Sequence, residues 1–275
     1  MTGEQLGPIR VTVRRGPVVE AVQDVHVAST GGLRRGDDLV TLLRSACKPI
    51  QAMPFAEAYD DLDDDELAIA CASHQAEPEQ LAAVRKVLAR AQATVDDLEN
   101  GPQAGRPDGK LGHNCSGKHA AMLAACRANG WPFAGYRFPD HPLQQRIRQL
   151  IGAPEAAVDG CGLPTYATTL SDAAALLTRT PVRVAAAMGA RPELVGGHGA
   201  HDTDLMLALP GWIAKRGAEG LLCAVSPDGV GYAFKVEDGN ARALPPAIAA
   251  VLGVESFASV PIANSLGELV GSISL

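Results

Sequence analysis

Residues 44–51, RSACKPIQ, set Ser45 and Lys48 three positions apart, with Pro49 directly behind. Proline is tolerated in the first turn of a helix, where its missing N–H has no partner to lose, but not in the interior. A helix here therefore begins at or beside Ser45. At such a start the two side chains approach across one turn, and the backbone N–H groups favour developing negative charge. A serine hydroxyl is a poor nucleophile until a base takes its proton. A lysine is that base only when burial or neighbouring cations make it neutral. The chemistry on offer is acyl transfer. Spacing alone does not establish it, because eleven serines and six lysines in 275 residues give about a quarter of an S-x-x-K by chance.

Three further clusters supply context. CASH, 71–74, ends an apolar run with Ser73 and His74, a second hydroxyl and a candidate proton relay, or else a cap. HNCSGKH, 113–119, pairs with DGCG, 159–162. FKVEDG, 234–239, puts Lys235 on a strand before an acidic glycine turn. The chain has 18 Arg and only 6 Lys, so each lysine is worth asking about. Only lysine offers a lone pair when neutral, whereas arginine keeps its proton. Lys48, Lys118 and Lys235 fall inside the clusters. Lys86, Lys110 and Lys215 fall in an amphipathic helix, a Gly/Pro-rich loop and a strand end, where charge alone is expected to matter.

Together these clusters resemble the Rhizobium etli-type L-asparaginases, the asparaginase II family. The matching residues are RSACKP, CASH, HNCSGKHAAML, DGCGLP, VGGHGAHDTDLM and FKVEDG, in the family's order over roughly residues 9–250. The resemblance implies a serine β-lactamase-like fold and hydrolysis of L-asparagine to L-aspartate and ammonia. It makes Ser45 and Lys48 one Ser–Lys pair, with Ser73 and Lys235 as second hydroxyl and second lysine. Either serine can be the nucleophile, and Ser45 is favoured. It also implies a zinc ion, Zn2+, on Cys115, Lys118 and Cys161. Read by ligand chemistry alone, Cys115 and His119 lie at a normal helical ligand spacing, histidine is a commoner ligand than lysine, and His113 is a further candidate. His119 is otherwise a substrate contact, and two buried thiols without metal are the plainer alternative. An amino-acid substrate needs an anion for its ammonium and donors for its carboxylate. Asp159 suits the first. Arg44 either binds the carboxylate or depresses the pKa of Lys48. Asp202 and Asp204 in HDTD read as cap residues.

Two other classes compete. Another serine acyl hydrolase of the same fold would carry S-D-N and K-T-G besides S-x-x-K; here no SDN is present and the third element is KVEDG. A non-catalytic metal- or ligand-binding protein would keep the clusters without turnover. The classical threonine asparaginase is excluded, because STGG at 29–32 is followed by Leu33 in place of the nucleophilic threonine. The chain is shorter than the family leads one to expect, which bears on substrate access and subunit contacts.

These residues must be held by a scaffold. IRVTVR, 9–14, alternates apolar and polar, and VVEAVQDVHVA, 18–28, follows a turn at Arg15-Gly16-Pro17, which predicts an antiparallel hairpin. GLLCAVS, 220–226, and VGYAFKV, 230–236, flank Pro227-Asp228-Gly229 as a second hairpin. Between them the pattern is helical: 78–91, 118–130 with a glycine stop, 142–151, 165–178 and 241–252. The acidic run YDDLDDDEL, 59–67, reads as a solvated helix start rather than a metal site. Strands at both ends around a helical middle predict one α+β domain, 1–275, with an antiparallel sheet.

Composition bounds the rest. The chain is 47% hydrophobic, enough for a sizeable core, and its formal charge is −7 with no basic patch, which argues against nucleic acid. MTGEQLGPIRV lacks a leader's basic-then-apolar pattern, and no apolar run reaches the ~18 residues of a membrane span. Six scattered cysteines without a C-x-x-C pair read as reduced thiols of a cytoplasmic protein. A homodimer acting on a small molecule is expected, with no membrane partner.

Overall fold

In IRVTVRR the apolar residues Ile9, Val11 and Val13 face inward and Arg10 faces out, which is the period-2 pattern of a strand with one face on a core. A computed structural model describes residues 6–275; the opening MTGEQ, part of the segment read above for a leader, lies outside it. The strands and helices in chain order are β1 (Ile9–Arg15), β2 (Val18–Ser29), β3 (Arg34–Arg35), β4 (Val40–Leu42), α1 (Lys48–Gln51), α2 (Met53–Ala58), α3 (Asp64–Ala70), α4 (Pro78–Ala91), α5 (Ser116–Asn129) and α6 (Pro142–Ile151). They continue with β5 (Glu155–Val158), β6 (Pro164–Thr169), α7 (Leu170–Leu177), α8 (Val182–Ala190), α9 (Pro192–Val195), α10 (His201–Ala208), β7 (Ile213–Arg216), β8 (Leu221–Val225), β9 (Gly231–Val236), α11 (Leu244–Leu252), β10 (Ser259–Ala263) and β11 (Leu269–Ser274).

The main sheet runs β10-β11-β1-β2-β9-β8-β7, with β3 paired to β2. Its pairings are antiparallel throughout. Both predicted hairpins are present, and the class is α+β. The chain starts in the middle of the sheet and returns to it after the helical segment, which leaves β7 as an edge strand. The pair β10–β11 was not anticipated from the sequence. Helix α7 packs on β9, β2 and β8, and α11 packs on β9, β1 and β10.

The expectation of a helix over 165–178 holds only for its second half. Residues 164–169 form β6, which pairs with β4 and β5 in a small three-stranded sheet. The cause is the threonine-rich run TYATT, whose β-branched side chains suit a strand. Thr169 then caps α7 by accepting the Asp172 N–H at 3.1 Å. The acidic run starts a helix as read: Asp63 and Glu66 form a reciprocal capping box at α3. Helices α3, α4 and α5 pack on one another. They meet closely because residue 117 is glycine; a Cβ there would collide with the Ile69 carbonyl of α3. That close approach fixes the N-terminal end of α5, which carries Cys115 and Lys118.

Candidate active site

Ser45 lies in a 3-10 turn, Arg44–Cys47, that leads directly into α1 with Pro49 in its first turn. The turn packs against β7 and β8. Arg44 takes a left-handed backbone conformation, φ +45°, at a cost of about 1–3 kcal/mol for a residue with a side chain. Its N–H is held by Thr165 Oγ1 at 3.1 Å. Strain of this kind, next to a half-buried serine, re-aims the chain at the point where α1 begins. Cys47 beside it is inert, because burial pushes its thiol up to about 12.

Lys48, the first residue of α1, is fully buried. Its Nζ donates to the Ala72 carbonyl at 2.5 Å and lies 3.0 Å from Ser73 Oγ. Burial holds the amine below its usual range, partly offset by the Cys115 charge. The structure thus joins Lys48 to Ser73; among the described residues no hydrogen bond links Lys48 to Ser45. Ser73 follows α3 and is pinned by its N–H to the Val195 carbonyl at 2.8 Å.

His74 is not a relay to Ser73. Its Nδ1 accepts the Ala76 N–H at 3.1 Å, so the proton sits on Nε2, which faces Ser116 Oγ at 2.8 Å. Burial, then the Lys48 charge, lowers its pKa to about 3, so the ring is neutral. It joins the CASH turn to the start of α5.

Cys115, at the N-cap of α5, and Cys161, after β5, bring their sulfurs together. Cys161 donates its proton toward Cys115, which drives the Cys115 thiol well down despite its burial and the Cys161 thiol well up. Lys118 Nζ lies 3.3 Å from Cys161 Sγ. Burial disfavours its ammonium, but the charges at Cys161 and Cys115 outweigh that and raise it. Among the described residues no three His, Cys, Asp or Glu side chains cluster as metal ligands. A metal here would need Lys118 as its third donor. The donor set fits that use in kind: two soft sulfurs against each other with Lys118 beside them, once the Lys118 ammonium gives up a proton. His113 also faces the site, with Nδ1 accepting the Cys115 N–H at 3.0 Å. His119 does not. It is fully buried, bonds Tyr136 Oη through Nδ1 at 2.6 Å, and its Nε2 has no partner among the described residues.

Ser45, Ser73, Cys115, Cys161, Arg44, Asp159, His113, Arg216 and Gln103 line one cleft of about 230 Å3. That is below the ~300–1,000 Å3 of sites for drug-sized ligands and suits an amino acid. A wider groove of about 810 Å3 runs beside Pro139, Arg148 and Pro154, but no serine, cysteine, lysine or histidine lines it. Arg44 and Asp159, read separately as carboxylate and ammonium contacts, are bonded to each other, Nε to Oδ1, at 2.8 Å. Lys235 does not line the cleft. It sits on β9, donates to the Val236 carbonyl, and has Glu219, Asp238 and Glu237 for its charged neighbours.

The lysine that sequence reasoning passed over is Lys215. It is fully buried on the edge strand β7, 2.9 Å from Asp202 Oδ2. Asp202 is therefore an ion-pair partner and not a cap, and Lys215 is not an interchangeable surface charge. The adjacent Arg216 enters the cleft wall. A signal was available in the sequence: Lys215-Arg216-Gly217 is a K-x-G at a strand end, and the lysine of KVEDG also lies near a strand end, on β9.

A family model described as L-asparaginase II matches residues 11–271. The chain belongs to the L-asparaginase II family. That places it among amidohydrolases, and the motifs that carried the resemblance all lie within the matched span. No curated protein matches the chain. Among solved structures it is similar to a chain from Bacteroides dorei DSM 17855 assigned to the β-lactamases, with 15% identity, a TM-score of 0.40, and coverage of 82% of this chain and 84% of that one. It is also similar to a β-lactamase from Mycobacterium bovis, with 14% identity, a TM-score of 0.32, and coverage of 90% and 94%. No helix among the described residues is long and apolar enough to cross a membrane.

Proposed function

We propose that this family member hydrolyses L-asparagine to L-aspartate and ammonia through an acyl-enzyme on Ser45. The observation that carries the reading is one small cleft lined by two serines, with the buried Lys48 amine 3.0 Å from Ser73 Oγ. Ser45 is the half-buried hydroxyl at a strained turn and so the one presented to a substrate amide. Its oxygen attacks the amide carbon while its proton passes to the Lys48–Ser73 pair. The pair returns that proton to the leaving nitrogen as the C–N bond breaks and ammonia departs. Water then cleaves the ester by the reverse of the same transfer. Lys48 is suited to the exchange because burial favours its neutral form, in which the amine donates to the Ala72 carbonyl and keeps one lone pair for a hydroxyl proton.

Cys115, Cys161 and Lys118 would hold zinc. When bound, the ion supplies a positive charge at the cleft wall, and the serine–lysine chemistry proceeds on the chain's own groups. Elemental analysis of the purified protein checks this, with about one zinc per chain expected and less than a tenth of that in Cys115→Ser. An active preparation that neither contains nor takes up zinc would remove the metal from the account.

The activity test is ammonia release from L-asparagine, with D-asparagine, L-glutamine and a β-lactam alongside. Ser45→Ala should lose at least ~10³-fold in turnover while remaining folded, and mass spectrometry of quenched wild-type enzyme should find the acyl group on Ser45. A folded Ser45→Ala protein of unchanged turnover would move the nucleophile to Ser73.

A further inference from the structure

The cleft's two arginines sit in opposite charge environments. Arg44 is 2.8 Å from Asp159 and 3.6 Å from Glu219. Two carboxylates share that guanidinium, with Lys118 beside Asp159 and Lys235 beside Glu219, so the Arg44 charge is already met. At the other end Arg216 Nη1 is 3.3 Å from Asp202 Oδ1, but the same carboxylate also serves Lys215 at 2.9 Å. One carboxylate against two cations leaves +1. Arg106 reinforces this end: it donates to the His74 carbonyl at 2.5 Å, and burial together with the Arg216 charge lowers its pKa. A cleft with the Asp159 carboxylate at one end and an excess of cation at the other offers partners for both groups of a zwitterion.

Arg216 also has donors to offer. A guanidinium carries five N–H groups. Nη2 donates to the Ser73 and Gly196 carbonyls at 2.9 and 3.2 Å, and Nη1 faces Asp202. These contacts use three of the five on a residue that lines the cleft. They also make the group rigid, since carbonyls from two loops and a buried carboxylate hold it. Arg44 has as many free N–H groups, but its charge is met by Asp159 and Glu219.

We infer that Arg216 receives the α-carboxylate of the substrate, while the Asp159–Glu219 end receives the α-ammonium. The inference rests on the asparagine-amidase reading above and adds a specificity determinant on the edge strand. The same guanidinium grips the Ser73 carbonyl, so it ties the recognised end of the substrate to the loop that carries the proton-transferring hydroxyl.

The test separates recognition from support of Ser73 by using two substrates. β-Alaninamide is L-asparagine without its α-carboxylate. In Arg216→Gln the loss of kcat/KM should be at least ~30-fold greater for L-asparagine than for β-alaninamide, the scale of lost hydrogen bonds to a charged group, and should appear in KM. Arg216→Lys, which keeps the charge without the planar fork, should recover part of that difference. Equal losses on both substrates, or no loss on either, would overturn the inference, because a merely structural guanidinium cannot tell the two apart. Calorimetric titration with L-aspartate keeps this question distinct from the function itself. If the wild-type protein turns over no L-asparagine yet binds L-aspartate in an Arg216-dependent way, the amidase reading fails and the receptor stands. If it neither turns over L-asparagine nor binds L-aspartate, both fail.

Discussion

Lys215 and Asp202 form an ion pair with no exposed surface on either side chain, Nζ to Oδ2 at 2.9 Å. Asp202 also accepts the Arg216 N–H at 3.2 Å. Burial alone would raise its pKa, but the Lys215 and Arg216 charges hold it at about 2. For Lys215 burial wins over the partner and lowers the amine to about 8. Removing one member of such a pair strands the other charge in the interior, which costs about 3–5 kcal/mol. Asp202→Ala should lose stability on that scale in urea unfolding. Adding Lys215→Met should recover much of it, because the stranded charge is gone. A single mutant within ~1 kcal/mol of wild type would show that water reaches the site and that the pair is not buried in solution.

The neutral ring of His74 makes a pH prediction. Its folded pKa, about 3, lies below the ~6.5 of an unfolded histidine. Between those values the unfolded chain binds the proton and the folded chain does not. Stability contributed by this ring is therefore complete above pH 6.5 and is lost as pH falls toward 3. The full size is on the order of 5 kcal/mol. His74→Gln should start less stable at pH 7, because the bonds to Ser116 and Ala76 are altered, but should lose less between pH 6.5 and 4 than wild type does. Parallel acid limbs in the two denaturation series would exclude His74 as the titrating group.

The hairpins, the helices at 78–91 and 142–151 and the capped acidic helix start were legible because each rests on local rules: alternation, a proline in the first turn, a reciprocal cap. Residues 165–169 were misread because the helical pattern of 170–177 was carried back over the β-branched run TYATT, which favours a strand. Their strand form is decided by pairing to β4, some 125 residues away in sequence. The same limit governs the site. Ser45, Lys48, Ser73, Cys115, Lys118 and Cys161 converge because the motifs named them as a set. The links between motifs were not readable: Lys48 bonds Ser73 rather than the serine beside it, Arg44 is matched to Asp159, and His119 turns to Tyr136. Lys215 had a local signal, its K-R-G strand end, but what gives that signal weight is that β7 is the edge strand beside the serine turn, a fact of sheet order.

Replacing lysine by arginine at single positions separates the base from the bystanders. At Lys48 the amine is fully buried, bonded to Ser73 Oγ and Ala72. Arginine there keeps a permanent cation and cannot accept a serine proton, so Lys48→Arg should cut turnover at least ~10²-fold, the usual size of a lost acid–base contribution. Lys86 is half exposed and paired with Asp63, and its arginine variant should stay within ~0.5 kcal/mol of wild type in stability with turnover intact. Lys235, whose sequence context suggests a catalytic lysine, instead donates to the Val236 carbonyl away from the cleft. Lys235→Arg should cost less than ~3-fold, far below an acid–base loss. Steady-state kinetics on the three variants, each checked for fold by circular dichroism, gives the ordering. A folded, fully active Lys48→Arg enzyme would end the proposed mechanism. A Lys235→Arg enzyme as impaired as Lys48→Arg would return Lys235 to the reaction and require β9 to approach the cleft when substrate binds.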